Sequence, residues 1–205
     1  MQDIALLAID WGTTTARAYA MDREGRIREA RSAPLGVQRV AGGEFAQALK
    51  SLCGDELGAD VPLLACGMIG SRQGWVEAPY CACPADFGAI ASRLTPVPGT
   101  ALAIVPGLIC HDDDGIADVM RGEETQILGT VDAAVAARQV VLLPSTPGKR
   151  AIVGAEGIET ISTYMPGQRY TLLSGTRILA GVSGPSGGGA AHARAGQDSE
   201  GAEAA

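Results

Sequence analysis

Residues 6–22 read LLAIDWGTTTARAYAMD. An apolar run over residues 4–9 ends at Asp10, and Trp11, Gly12, Thr13, Thr14 and Thr15 precede Arg17 and a return to alternation. An apolar run closed by turn-forming residues reads as a buried strand, and the alternation after it as a second one. A turn made of glycine and short hydroxyl residues lets backbone N–H groups approach a phosphate, with the hydroxyls as further donors. A carboxylate at the strand end suits Mg²⁺, held directly or through water, and Arg17 adds positive charge toward the same phosphates. The same residues also make an ordinary hairpin, since Asp and Gly favour turns and Thr favours strands. The stretch alone leaves both readings open. It is not a P-loop, because G-x-x-x-x-G-K-[ST] is absent.

Outward from this stretch, the pattern predicts strands over 4–10, 14–21 and 26–34, with a hairpin turn at 22–25. A helix is predicted over 43–57, a strand over 61–66 and a helix over 85–94. A strand over 100–109, kinked at Pro106-Gly107, and a helix over 118–137 follow. Then come a strand over 139–143, a second hairpin over 151–154 and 157–163, and a short helix over 170–180. Strands alternating with helices indicate an α/β architecture, and the opening meander makes the sheet mixed. From residue 183 the composition collapses to Gly, Ala, Ser and charge, a tail expected to be disordered.

With 205 residues and 46% hydrophobic content, the chain can bury a substantial core. A net charge of −7 argues against nucleic acid or an anionic membrane as partner. No apolar run is long enough to span a bilayer, and Met1-Gln2-Asp3 lacks a basic leader, so a cytoplasmic location is expected. Self-association into a homo-oligomer is compatible with the sequence. The five cysteines, Cys53, Cys66, Cys81, Cys83 and Cys110, contain no C-x-x-C pair, so neither a disulfide framework nor a zinc site is expected. Two histidines leave little material for a His-based triad.

Three stretches together narrow the reading. IDWGTTTARAY resembles the first phosphate motif of the sugar kinase, Hsp70 and actin superfamily. LLACGMIGSRQGWVEAPYCACPA (63–85) and IVPGLICHDDDGIADVMRGEETQILG (104–129) resemble the 2-dehydro-3-deoxygalactonokinase family, a likeness that runs from about residue 5 to residue 179. The resemblance implies two ribonuclease-H-like (actin-like ATPase) domains with ATP between them. It also implies transfer of the ATP γ-phosphate to the 6-hydroxyl of 2-dehydro-3-deoxy-D-galactonate. The expected organisation is a first domain over 1–132 with the sugar-acid site, an incomplete nucleotide-binding domain over 133–182, and a tail over 183–205.

Phosphoryl transfer needs a metal, phosphate positioning and a group that orients or deprotonates the attacking hydroxyl. Asp10, for Mg²⁺, and Gly12, Thr13, Thr14, Thr15 and Arg17 fit the first two needs. In related carbohydrate kinases a Gly-Asp pair supplies the base, which makes Glu123 of RGEETQ the first candidate and Asp118 the second. The same acids also fit a solvated helical face shared with Arg121. Ser71, Arg72 and Gln73 follow glycines at a strand end, a usual place for ligand contacts. With Trp75, Arg121 and Glu124 they are the expected substrate residues, with Trp75, Glu77 and Tyr80 as pocket walls; Arg121 is a second carboxylate clamp. The alternative for the loop is a structural one, with Arg72 paired to a nearby acid.

Two departures stand out. Family members carry Gly-Thr-His-Ser-Lys-Trp at the second phosphate motif, where this chain has Ser145-Thr146-Pro147-Gly148-Lys149-Arg150; only Thr146 and Lys149 remain. Pro147 also removes a backbone donor. The resemblance ends near RILAGVSG, which reads as a truncated product, so an inactive sugar-acid-binding remnant is the alternative to an active kinase.

Overall fold

The computed structural model describes residues 4–54, 61–131, 138–144 and 147–164, and the backbone of 178–180. β1 (Leu6–Trp11), β2 (Ala16–Met21) and β3 (Ile27–Ala33) form the expected antiparallel meander. α1 (Phe45–Cys53) follows, then β4 (Leu63–Gly67), β5 (Cys81–Ala82), α2 (Phe87–Ala91), β6 (Thr95–Pro96) and β7 (Leu102–Ile104). The main sheet runs β3-β2-β1-β4-β7-β6, with β1, β4 and β7 mutually parallel. Period-two alternation sets its faces: Leu7, Ile9 and Trp11 point into a core shared with Phe45, Leu49 and Leu52 of α1. Their neighbours Leu6, Ala8 and Asp10 lie on the less buried face.

The middle of the chain corrects two expectations. The strand expected over 100–109 is two strands in different sheets, β7 and β8 (Leu108–His111). Val105 still donates to Ala65 of β4, but Pro106 has no N–H to continue the ladder, and Gly107 packs against Tyr80 and the Met120 carbonyl. The helix expected over 118–137 opens instead as a strand, β9 (Ala117–Met120), paired with β8. α3 (Glu123–Thr130) starts only after Gly122, whose φ of 104° ends the strand and caps the helix. Residues 132–137 of that expectation lie outside the described residues.

β5, β8 and β9 form a small sheet that brings Cys83 beside Cys110, with Cα atoms 5.0 Å apart and a disulfide between them. A bridge was not expected, because pairing across 27 residues is created by the sheet register and leaves no local spacing signal.

β10 (Gln139–Leu143), β11 (Gly148–Gly154) and β12 (Gly157–Tyr164) form the second meander, and β13 (Ile178–Ala180) lies parallel to β10. The end of the expected 170–180 helix is therefore a strand; its earlier residues lie outside the described ones. The order β12-β11-β10-β13 repeats β3-β2-β1-β4 in topology: a meander whose first strand is flanked on its other side by a parallel strand. This sheet shares one apolar core with the small sheet, α2 and α3, built from Leu108, Met120, Ile127, Val141 and Ile158. A two-way backbone bridge between Ala85 and Ile158 reinforces that junction. The molecule is thus α/β, with mixed sheets and few helices.

Trp11 is the pivot between this framework and the turn that follows it. Its ring is fully buried, meets Phe45 edge-on at 6.0 Å between centroids, and donates Nε1–H to the Leu35 carbonyl at 2.7 Å. Trp11→Ala is expected to destabilise the fold by about 3–5 kcal/mol in urea unfolding, and a loss below about 1 kcal/mol would contradict this packing.

Candidate functional site

The Gly12–Thr15 turn is closed by a Gly12 N–H to Thr15 carbonyl bond of 2.9 Å. Its carbonyls are held from behind: Val37 donates to Gly12 O and Gln38 to Thr13 O, both at 3.0 Å. Gly36 makes that brace possible, because a Cβ there would stand 2.3 Å from the Thr14 backbone. With the carbonyls engaged, the Thr13 and Thr14 amides have no hydrogen-bond partner among the described residues. A fixed pair of unengaged amides beside short hydroxyls suits an anion. Gly36 carried no sequence signal, since its contact with Thr14 is made in space.

Asp10 lies one residue before the end of β1, opposite Arg17 on β2 and beside Cys66 on β4. Arg17 Nη1 donates to Asp10 Oδ2 at 2.9 Å, with the side chains 49% and 34% exposed. An ion pair that open contributes about 0–1 kcal/mol, so it can be exchanged for a stronger ligand.

Two glycines then bring a distant segment to this corner. Gly67 ends β4 with φ +92°, and a Cβ there would meet the Trp11 carbonyl at 2.8 Å. Gly122, at the start of α3, lies so close that its Cβ would stand 3.1 Å from the Gly67 Cα. The end of β1, the end of β4 and the first turn of α3 therefore converge. Positive-φ glycines beside polar residues at element ends were the available signal for this contact, but not for its partner.

α3 presents Glu123 and Glu124. Glu123 Oε2 accepts from the Arg121 amide at 3.0 Å, and Glu124 Oε2 from the Gly122 amide at 2.7 Å, so each carboxylate satisfies an N–H at the helix start. Glu124 is fully buried; burial, with help from the Glu123 charge, pushes its pKa up to about 7 against the hydrogen bonds from the backbone. Burial, then the charges of Asp10 and Glu124, push the Cys66 thiol up to about 12. Cys66 therefore sits within the field of both carboxylates.

The loop after Gly67 carries the expected substrate residues. A 3-10 turn over Met68–Gly70 leads to Ser71, whose Oγ donates to Met68 O at 2.7 Å and accepts from Gln73 N. Trp75 stacks on Phe45 at 6.1 Å, so its ring belongs largely to the main core. Arg72 is 86% exposed and meets Glu77 Oε1 through Nε at 3.2 Å. Arg121 donates from Nη2 to Ala78 O at 2.9 Å and lies over the Tyr80 ring, 4.4 Å from its centroid.

Asp118 and Lys149 are brought together, away from this corner's hydrogen bonds. Lys149 Nζ donates to Asp118 Oδ1 at 3.0 Å, to Val119 O and to Thr163 Oγ1, while Asp118 also accepts from the Thr163 amide and hydroxyl. Burial works against the Asp118 charge, but the Thr163 and Lys149 hydrogen bonds and the Lys149 charge hold its pKa below the ordinary carboxylate value. The cluster fastens β11 and β12 to β9. Thr146 lies outside the described residues.

The raised Glu124 pKa has a sign that can be tested. The unfolded chain loses this proton near pH 4.5 and the folded chain only near about 7, so stability contributed by the protonated form falls as pH rises between those values. Glu124→Gln should remove that slope, a gain over wild type of at most about 3 kcal/mol at pH 8 relative to pH 4.5. Urea unfolding at the two pH values checks it; parallel profiles for the two proteins would contradict it.

Comparison with known proteins agrees with the motifs. The family model described as 2-keto-3-deoxy-galactonokinase matches residues 10–204, extending beyond the residue where the sequence resemblance was expected to end. A protein of Rhizobium meliloti strain 1021, described as a 2-dehydro-3-deoxygalactonokinase, is 35% identical over 176 residues, covering 84% of this chain and 57% of its own. The Escherichia coli K12 2-dehydro-3-deoxygalactonokinase is 36% identical over 178 residues, covering 86% of this chain and 59% of its own. A crystal structure from Sinorhizobium meliloti described as the same kinase superposes with a TM-score of 0.69 at 33% identity, covering 82% of this chain and 58% of that one. The chain thus spans a little under three fifths of the length of these relatives. On its motifs, its fold and these matches, the chain belongs to the 2-keto-3-deoxy-galactonokinase family.

Proposed function

We propose that the corner formed by Asp10, the Gly12–Thr15 turn and the start of α3 is the phosphate side of a carbohydrate-kinase site. In this reading ATP is the donor and 2-dehydro-3-deoxy-D-galactonate, the acid in the relatives' names, the acceptor at its 6-hydroxyl. The observation that carries it is the contact of Gly67 with Gly122, which brings together the braced Gly-Thr turn, a partly exposed carboxylate and two further acids. The order β3-β2-β1-β4-β7, with β1, β4 and β7 parallel, supports a ribonuclease-H-like domain. The topological repeat in β10–β13 supports the start of a second one.

The residues suit the cofactor. Mg²⁺ favours carboxylate oxygen and retained water, and Asp10 offers a partly exposed carboxylate held, among the described residues, by Arg17. Bound there with ATP, the ion would neutralise charge on the transferring phosphoryl group. The Thr13 and Thr14 amides orient the phosphates, and Arg17, released from Asp10, adds positive charge on the same side. Glu123 is the first candidate to accept the proton of the attacking hydroxyl. Its Oε2 is held by the Arg121 amide, while Oε1 has no hydrogen-bond partner among the described residues. Glu124, buried behind it, shapes the helix start. Asp118 is committed to Lys149 and Thr163, which disfavours it as the base and Lys149 as a free phosphate ligand. The loop from Ser71 to Tyr80 forms the sugar-acid side.

Coupled ADP release with Mg-ATP and the sugar acid tests this reading. Turnover is expected to fall at least about a hundredfold in Asp10→Asn. Turnover no greater than that control refutes the kinase reading for this chain, and calorimetric binding of the acid without nucleotide would then favour a binding module.

A further inference from the structure

Two arginines meet the Ser71–Tyr80 loop, Arg72 from within it and Arg121 from the residue before Gly122, and they are built differently. The Arg121 guanidinium is interior. Nη2 is bound to Ala78 O, the plane lies over Tyr80, and a Cβ on Gly70 would stand 2.9 Å from Nη1. Its Nε and Nη1 are buried with no hydrogen-bond partner among the described residues, and Gly70 lies against Nη1. Arg72 is the reverse: 86% exposed and held on its Nε side alone by Glu77, itself 59% exposed. That contact aims the guanidinium while leaving both Nη groups without a partner among the described residues, the edge that pairs with a carboxylate through two parallel bonds. The backbone beneath Arg72 is rigid. Ser71 N bonds to Met68 O, Gly74 N to Ser71 O, Trp75 N to Ile69 O and Ala78 N to Gly70 O, and Trp75 is anchored on Phe45. The loop begins at Gly67, the residue that touches both Trp11 and Gly122.

We propose that Arg72 reads the carboxylate of the acidic substrate, aimed by Glu77, and that Arg121 is a positioning residue that fixes the loop without touching ligand. This rests on the sugar-acid kinase reading above and divides between two residues a role that the sequence offered to both. A rigid loop bearing one exposed, half-engaged guanidinium gives specificity for acid over neutral sugar, because the carboxylate gains a charge-assisted pair and little order is lost on binding. Arg121 acts through Ala78 and Tyr80, so its loss loosens the loop for every ligand alike.

The test is calorimetric affinity of the full chain for 2-dehydro-3-deoxygalactonate and for its neutral carboxamide, with a thermal melt of each variant. Arg72→Met should weaken the acid by about ten- to hundredfold and the carboxamide little, with an unchanged melt, and Arg72→Lys should fall between. Arg121→Met should lower the melting temperature and weaken both ligands by the same factor, with Arg121→Lys restoring part of the melt. Equal effects of Arg72→Met on both ligands, or none on either, would overturn the assignment while leaving the kinase reading standing. So would an acid-selective loss in Arg121→Met or Arg121→Lys with an unchanged melt. Binding of neither ligand by the wild-type chain refutes the sugar-acid reading itself, and this assignment with it.

Discussion

A contact between two backbones, Gly67 against Gly122, sets the arrangement of everything around it. Neither position tolerates a side chain: both have positive φ, and a Cβ on either would press on the other segment or on the Trp11 carbonyl. Because the contact is backbone on backbone, it holds the start of α3 against the ends of β1 and β4 with almost no slack. The consequences are electrostatic as much as steric. Glu124 is carried into a fully buried place where its proton is hard to remove, and the Cys66 thiol beside it is kept neutral by the same burial and by Asp10. A looser junction would let water in and return these groups toward their ordinary behaviour.

Two kinds of restraint surround this corner. Toward the main sheet, Trp11 and Phe45 anchor the Gly-Thr turn and, through Trp75, the loop beyond Gly67, so the turn and the loop share one apolar support. Toward the second meander, Lys149, Asp118 and Thr163 tie β11 and β12 to β9. The first restraint is dry and tightly packed. The second is polar and partly exposed, with Lys149 12% and Asp118 27% open, and so responds to acid and to salt. The topological repeat gives this difference a meaning. Asp10 faces Arg17 in the first hairpin, whereas Leu143 faces Lys149 in the second, so the lysine finds its carboxylate on β9.

What could be read from the sequence followed the range of each interaction. The first meander, α1 and β4 were legible because alternation and apolar periodicity are local, and the Gly12–Thr15 turn because glycine and short hydroxyl residues stand there consecutively. β9 was read as helix because Asp118, Val119 and Met120 run straight into helix formers, and only Gly122's backbone separates the two. The strand over 100–109 was read as continuous because one proline does not reveal that the chain changes sheets. The Cys83–Cys110 bridge, the Gly36 brace and the Lys149–Asp118 pair span 22 to 31 residues and exist only through the topology. The alternative of Arg72 paired to a nearby acid was visible, and the pair with Glu77 is present; that its Nη edge stays open was not.

In the proposed site, the Gly12–Thr15 turn and the start of α3 form one anion-binding corner. Titrating the isotopically labelled chain with magnesium pyrophosphate, which needs no adenosine site, and following backbone amide shifts tests this directly. The Thr13 and Thr14 amides and those of Gly122 to Glu124 are expected to shift together, with a single saturation constant. Shifts confined to one segment, or separate constants for the two, would contradict it.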